Sequence, residues 1–145
     1  MKAKRVRDSR TTTFVLVFNS GDEVMHELLT FAKQNALTGS QFTAIGAFER
    51  AVIGYFDWAR KDYERIPITE QVEVLSLIGD VALADGEPKI HAHVVVGKRD
   101  GSAHGGHLLE GYVRPTLEVV LIESPVSLRR RMDTTSGIPL IDLES

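Results

Sequence analysis

Apolar and polar residues mostly alternate along this chain, and only one stretch breaks into a helical period. Thr11–Phe18 (TTTFVLVF) is rich in β-branched and aromatic residues and predicts the first strand, closed by Asn19-Ser20-Gly21. Within Asp22–Asn35, Val24, Met25, Leu28, Leu29, Phe31 and Ala32 recur at the spacing of one helix face. Ser20, three residues before Glu23, has the form of a capping box for that helix. Gln41–Phe48 and Ala51–Trp58 read as two strands divided by polar Glu49-Arg50, with Gly46 marking a bulge or a close backbone approach. Lys61–Arg65 reads as a charged turn or short strand, and Pro67 as an edge or a strand start. Glu70–Ile78 predicts a long strand buried in part on both faces, which Gly79–Leu83 continues as strand or turn. Asp85-Gly86 and Pro88 give the turn that follows, and Ile90–Val96 the next strand. Leu117–Ile122 is almost wholly apolar, which suits a sheet centre. The tail Val126–Ser145, with a turn at Ser136-Gly137, reads as one last extended element with a charged side.

Many strands, short turns and one good helix imply an α+β domain, a mainly antiparallel sheet with one principal helix packed on it. A helix of about fourteen residues covers little of such a sheet, and oligomerisation would bury the rest. The 145 residues divide into a basic, flexible arm over 1–10 and a single domain over 11–145.

Charge sharpens that division. The net charge is −3, but residues 1–10 carry Lys2, Lys4, Arg5, Arg7 and Arg10 against Asp8, leaving −7 for the remainder. A domain of that sign is not a general nucleic-acid binder, so any phosphate contact falls to the arm. With no cysteine, disulfides and thiolate metal sites are excluded, and a metal must be held by nitrogen and oxygen. No apolar run spans a membrane and no secretory leader opens the chain, which points to the cytoplasm. The sequence contains no G-x-S-x-G, P-loop or dinucleotide fingerprint.

The chemistry concentrates in Lys89–Gly111, which holds four of the five histidines. His91 and His93 share one face of a strand with Cα atoms about 6.5–7 Å apart. The turn at Lys98-Arg99-Asp100-Gly101 folds the following strand back alongside, and Gly105-Gly106 lets the backbone turn sharply just before His107. His91, His93 and His107 then form a three-imidazole site with room for water. Zinc is the first choice for it, with other divalent transition metals as alternatives. His104 is read as a surface or supporting residue, and His26 as a surface histidine on the helix. Glu49, Glu110 and Glu118 are candidates to hydrogen-bond the ligand imidazoles. An open fourth position would suit a hydrolase or lyase, with Glu49 or Glu110 as general base. A purely structural metal is the further alternative. Tyr55, Phe56 and Trp58 are read as packing, in the core or at a subunit interface.

The stretches VEVLSLIGDVAL, DGEPKIHAHVVVGKRDG and GGHLLEGYVRPTLEVVL resemble the PPC (plants and prokaryotes conserved) domain, most specifically where H-x-H precedes D-G and then G-G-H-L. FTAIGAFERAVIGYFD and FNSGDEVMHELLTFAKQN upstream are similar to it as well, so the likeness spans Thr11 to Ile141. The resemblance implies a homotrimer of compact α+β subunits, a predicted DNA-binding or regulatory role, and a metal held by His91, His93 and His107. The R-G-R-P centre of an AT-hook is absent, so weak DNA contact would rest on Lys2, Lys4, Arg5 and Arg7.

Overall fold

The computed structural model describes residues 2–7 and 11–143, the first of these segments by its backbone. In chain order the elements are β1 (Lys2–Arg7), β2 (Thr12–Asn19), α1 (Val24–Gln34), β3 (Gly39–Asp57), β4 (Asp62–Ile68), β5 (Val72–Ala84), β6 (Glu87–Gly97), β7 (Ala103–Glu123), β8 (Arg129–Met132) and β9 (Pro139–Asp142). All nine strands among the described residues belong to one sheet. Its pairs are antiparallel apart from β5 with β8, so the expected α+β class holds.

Four strands close on themselves: β3 pairs β5, β5 pairs β6, β6 pairs β7, and β7 pairs β3 again. Phe42, Phe48, Leu77, Leu108 and Leu117 are buried in the core this closure encloses with the helix and β2. Helix α1 turns Val24, Leu28, Phe31 and Ala32 inward, and Phe31 meets Phe14 of β2 edge-on at 5.1 Å between ring centroids. The capping box expected at Ser20 is replaced by a different cap. Glu23 is the N-cap and accepts from the backbone N–H groups of Met25 and His26 at 3.3 and 2.7 Å. The same carboxylate accepts from Gly111 N–H at 3.0 Å, which ties the helix start to β7. Ser20 lies in the preceding turn and donates to the Pro115 carbonyl instead.

Four other expectations change. The two strands expected either side of Glu49-Arg50 are one strand, β3, whose pairing shifts register around Gly46, Phe48 and Arg50, so bulges absorb the polar break. The tail is a hairpin of β8 and β9 around Ser136-Gly137, because Asp133 accepts from Ser136 N–H and Ser136 Oγ and closes the turn. Residues 2–7, expected in a free arm, run as an edge strand on β2. The side chains of Lys2, Lys4, Arg5 and Arg7 lie outside what the structure describes. β5 also differs from its expected burial on both faces. A register shift between Val74 and Ser76 leaves Leu75 and Ile78 outward and exposed. Pro67 does sit on an edge strand, since β4 pairs only with β3.

Gly46 has a backbone that only glycine accepts readily, with φ of 152°, and a Cβ there would meet the Thr116 carbonyl at 2.3 Å and Leu117 Cα at 2.7 Å. Gly21, at φ 94°, faces open space. Gly46→Ala is therefore expected to cost about 2–4 kcal/mol in urea unfolding. Gly21→Ala should cost about 1 kcal/mol. Equal costs would refute the close backbone approach.

Candidate metal centre

The turn after β6 closes through Lys98 N–H to the Ser102 carbonyl and Gly101 N–H to the Lys98 carbonyl, and this fixes the β6–β7 register. His93 faces His107 directly across it. His107 is also opposite Gly54 of β3, so it marks the point where β7 is flanked by both neighbours. The Gly105-Gly106 pair makes no turn; it lies inside β7. A Cβ on Gly106 would meet the Gly54 carbonyl at 2.7 Å, so the pair serves close strand approach there.

His91, His93 and His107 each present a ring nitrogen within 4.8 Å of the other two. Ring centroids are 5.1 to 5.5 Å apart, and the Nε2 atoms of His91 and His93 approach to 3.2 Å. Two nitrogens that close need one shared proton or a cation between them, since two lone pairs repel and two N–H groups collide. Metal–nitrogen bonds of about 2.0–2.1 Å in a tetrahedron set neighbouring nitrogens about 3.3 Å apart, so the observed pair has the spacing of one edge. His107 Nδ1 is buried without a hydrogen-bond partner among the described residues. Leaving such a nitrogen unsatisfied costs about 1–3 kcal/mol. Burial, with the neighbouring imidazoles, pushes the His107 pKa down to about 4. Burial and then the Arg130 charge lower that of His91. Three crowded imidazoles, two of them with lowered pKa values and one with a nitrogen unpartnered among the described residues, fit a divalent transition ion.

Asp80 and Tyr63 support the cluster, and the sequence reading named neither. Asp80 of β5 is the cross-strand partner of His91, with Oδ2 at 3.9 Å from Nδ1. It also forms an ion pair with the buried guanidinium of Arg130 from β8, whose other end donates to the Pro139 carbonyl at 3.2 Å. The Asp85-Gly86 turn carries the signal for Asp80: counting back evenly from Ala84 opposite Glu87 pairs it with His91. Tyr63 of β4 stacks on His107 at 4.5 Å and 23°. Gly54 makes this stack possible, because a Cβ there would meet the Tyr63 ring at 2.8 Å. No local turn links β4 to β7, so the sequence carries no comparable signal for Tyr63.

The other candidates lie apart. Glu49 faces Arg50 at 3.7 Å and Arg114 at 4.0 Å, and Glu110 is paired with Arg65. Glu118 is exposed and lines a shallow groove with Ile45 and Val120. His26 and His104 are exposed. Phe56 packs edge-on against Tyr63 and Trp58, while Tyr55 and Trp58 are exposed on the subunit surface. Beside the histidines opens a cavity of about 640 Å³, lined by His91, His107, Tyr63, Arg130 and the β8–β9 hairpin. Neither Glu49 nor Glu110 lines it. No helix among the described residues is long and apolar enough to cross a membrane.

A family profile, the Plants and Prokaryotes Conserved (PCC) domain, matches residues 6–125. Among curated proteins, the chain is 31% identical over 127 residues to the bifunctional protein GlmU of Synechococcus sp. (strain JA-3-3Ab), covering 86% of this chain and 19% of that protein. The chain thus spans about a fifth of that relative. Among solved structures it is similar to a plant- and prokaryote-conserved (PPC) protein of Pyrococcus horikoshii, with TM-score 0.85, 33% identity, and coverage of 97% of this chain and 94% of that one. The metal-containing protein AF0104 of Archaeoglobus fulgidus matches with TM-score 0.82, 34% identity, and coverage of 89% and 91%. A candidate DNA-binding protein of Ralstonia eutropha JMP134 matches with TM-score 0.84, 28% identity, and 90% of each chain.

The lowered His107 pKa predicts a pH dependence for the metal-free protein. Between about pH 4 and 6.5 the unfolded chain holds the proton that folded His107 lacks. Stability should therefore rise with pH across that window and fall as acid is added. Thermal melts in chelator should show this slope, and His107→Gln should flatten it. An unchanged slope in the variant would refute the assignment to His107.

Proposed function

Because the chain belongs to the Plants and Prokaryotes Conserved (PCC) domain family, we propose that it is a metal-binding member of that family whose centre acts on a small molecule. His91, His93 and His107 hold the ion in this reading, and zinc is the first choice because three imidazole nitrogens suit it. The observation that carries the reading is the convergence of three ring nitrogens within 4.8 Å at the wall of a cavity. A zinc ion held there would supply Lewis-acid chemistry to a hydrolase or lyase reaction. The chain's own residues would do the rest: Asp80 places a carboxylate 3.9 Å from His91 Nδ1, Tyr63 buttresses His107, and burial keeps His107 unprotonated at neutral pH. AF0104, similar over most of both chains, is named as containing metal, which supports the same reading.

A DNA-associated role is the second reading. The name of the Ralstonia protein supports it, and so do Lys2, Lys4, Arg5 and Arg7. The charge of −7 beyond residue 10 weighs against it as the main activity.

Self-association completes the proposal, as a homotrimer. Ile45, Leu75, Ile78 and Val120 are exposed and line one shallow groove across β3, β5 and β7. Contiguous apolar surface of this kind marks an interface.

Metal analysis of the dialysed protein should find about one zinc per subunit. His91→Ala/His93→Ala should lose it, together with the rise in melting temperature that zinc gives the wild type. Absence of metal from the wild type after zinc addition would refute the centre. In light scattering the wild type should have the mass of a trimer, and Ile78→Asp/Val120→Asp that of a monomer. A wild-type monomer would refute the assembly.

A further inference from the structure

The cavity beside the histidines has a lining that selects among small molecules. Ile138, Pro139 and Leu140 of the β8–β9 hairpin and Ile90 of β6 give it an apolar wall. Its basic residues are Lys89, Arg130 and Arg131, set against Asp85 alone among the lining acids. They are not equivalent. Arg130 is buried and its charge is matched by Asp80. Arg131 is exposed, and its Nε faces Asp142 at 3.3 Å. Lys89 is exposed and has no acidic partner among the described residues. It precedes His91 by two positions on β6, so the two share a strand face with Cα atoms about 6.5–7 Å apart.

A volume of about 640 Å³ is that of a small-molecule site, and it is too apolar for a strongly hydrated polyanion. An exposed ammonium without an acidic partner among the described residues, beside an exposed guanidinium at such a wall, calls for one negative charge on an otherwise apolar molecule. Resting on the metal centre read above, we propose that the cavity binds a small organic monocarboxylate. Lys89 and Arg131 hold the carboxylate, the hairpin wall covers the apolar body, and the remainder of the molecule lies beside His91 and His107.

Calorimetric titration of the zinc-loaded protein with 4-methylpentanoate and 3-phenylpropanoate, and with the matching amides, tests this. The acids should bind saturably, about tenfold or more tighter than the amides. Lys89→Met and Arg131→Gln should each weaken the acids about fivefold while zinc content stays at the wild-type level. Both residues are exposed, so neither change should disturb folding. Three results would overturn the proposal: no acid binds, acids bind no better than amides, or the double variant binds acids as the wild type does. The last would place the carboxylate on the ion alone. If the wild type takes up no zinc, the metal reading fails by itself, and the titration is read on the metal-free protein. Acid preference lost in the double variant would then still support the cavity assignment, and absence of preference would overturn it.

Discussion

One pairing switch organises this molecule. Along one edge β7 is flanked by β6 up to His107 and by β2 from Thr116, along the other by β3 from His107 onward, so β6 and β3 both meet it at His107. That switch closes the β3–β5–β6–β7 circuit, and the core is built inside it. It also sets His107 against His93 on one side and against the small Gly54 on the other. Main-chain hydrogen bonds hold strands about 4.8 Å apart, so the three imidazoles owe their crowding to backbone geometry rather than to any attraction between them. Only the His91 and His93 rings approach within hydrogen-bond distance of each other, at 3.2 Å. The assembly of all three is stabilised by the sheet, and the sheet leaves His107 Nδ1 without a partner among the described residues.

Electrostatics around the cluster point the same way. Burial disfavours the protonated forms of His91 and His107, and Arg130 adds to this for His91. Asp80 acts in the opposite direction on His91, but Arg130 shares that carboxylate and so divides its influence. The result is that the lone pairs of His91 and His107 are held ready near neutrality, with Asp80 behind His91.

The parts of this site legible in the sequence are those that a local turn determines. Asp100-Gly101 fixes a register in which His93 faces His107, and Asp85-Gly86 fixes one in which Asp80 faces His91. Counting outward from either turn is enough. Tyr63 reaches His107 across β3, and Arg130 reaches Asp80 through a parallel pairing of β8 with β5, so neither contact follows from a nearby turn. Gly46 was readable as a bulge because an isolated glycine in a strand has few other uses. The continuity of β3 was not, since Glu49-Arg50 looks like a break until bulges are allowed to carry it. The burial of β5 escaped for the same reason: one extra residue reverses which side chains face out.

Among the described residues the β8–β9 hairpin joins the rest of the sheet at two residue pairs, Leu83 with Arg129 and Ala84 with Arg130, yet it supplies much of the cavity wall. The three histidines, in contrast, sit wholly within the central circuit. The centre and its enclosure are therefore separable parts of the chain. Substitutions at Ile138, Pro139 or Leu140 can reshape what fits without touching a ring nitrogen, and a lineage that varies this segment can change its ligand while inheriting the same chemistry.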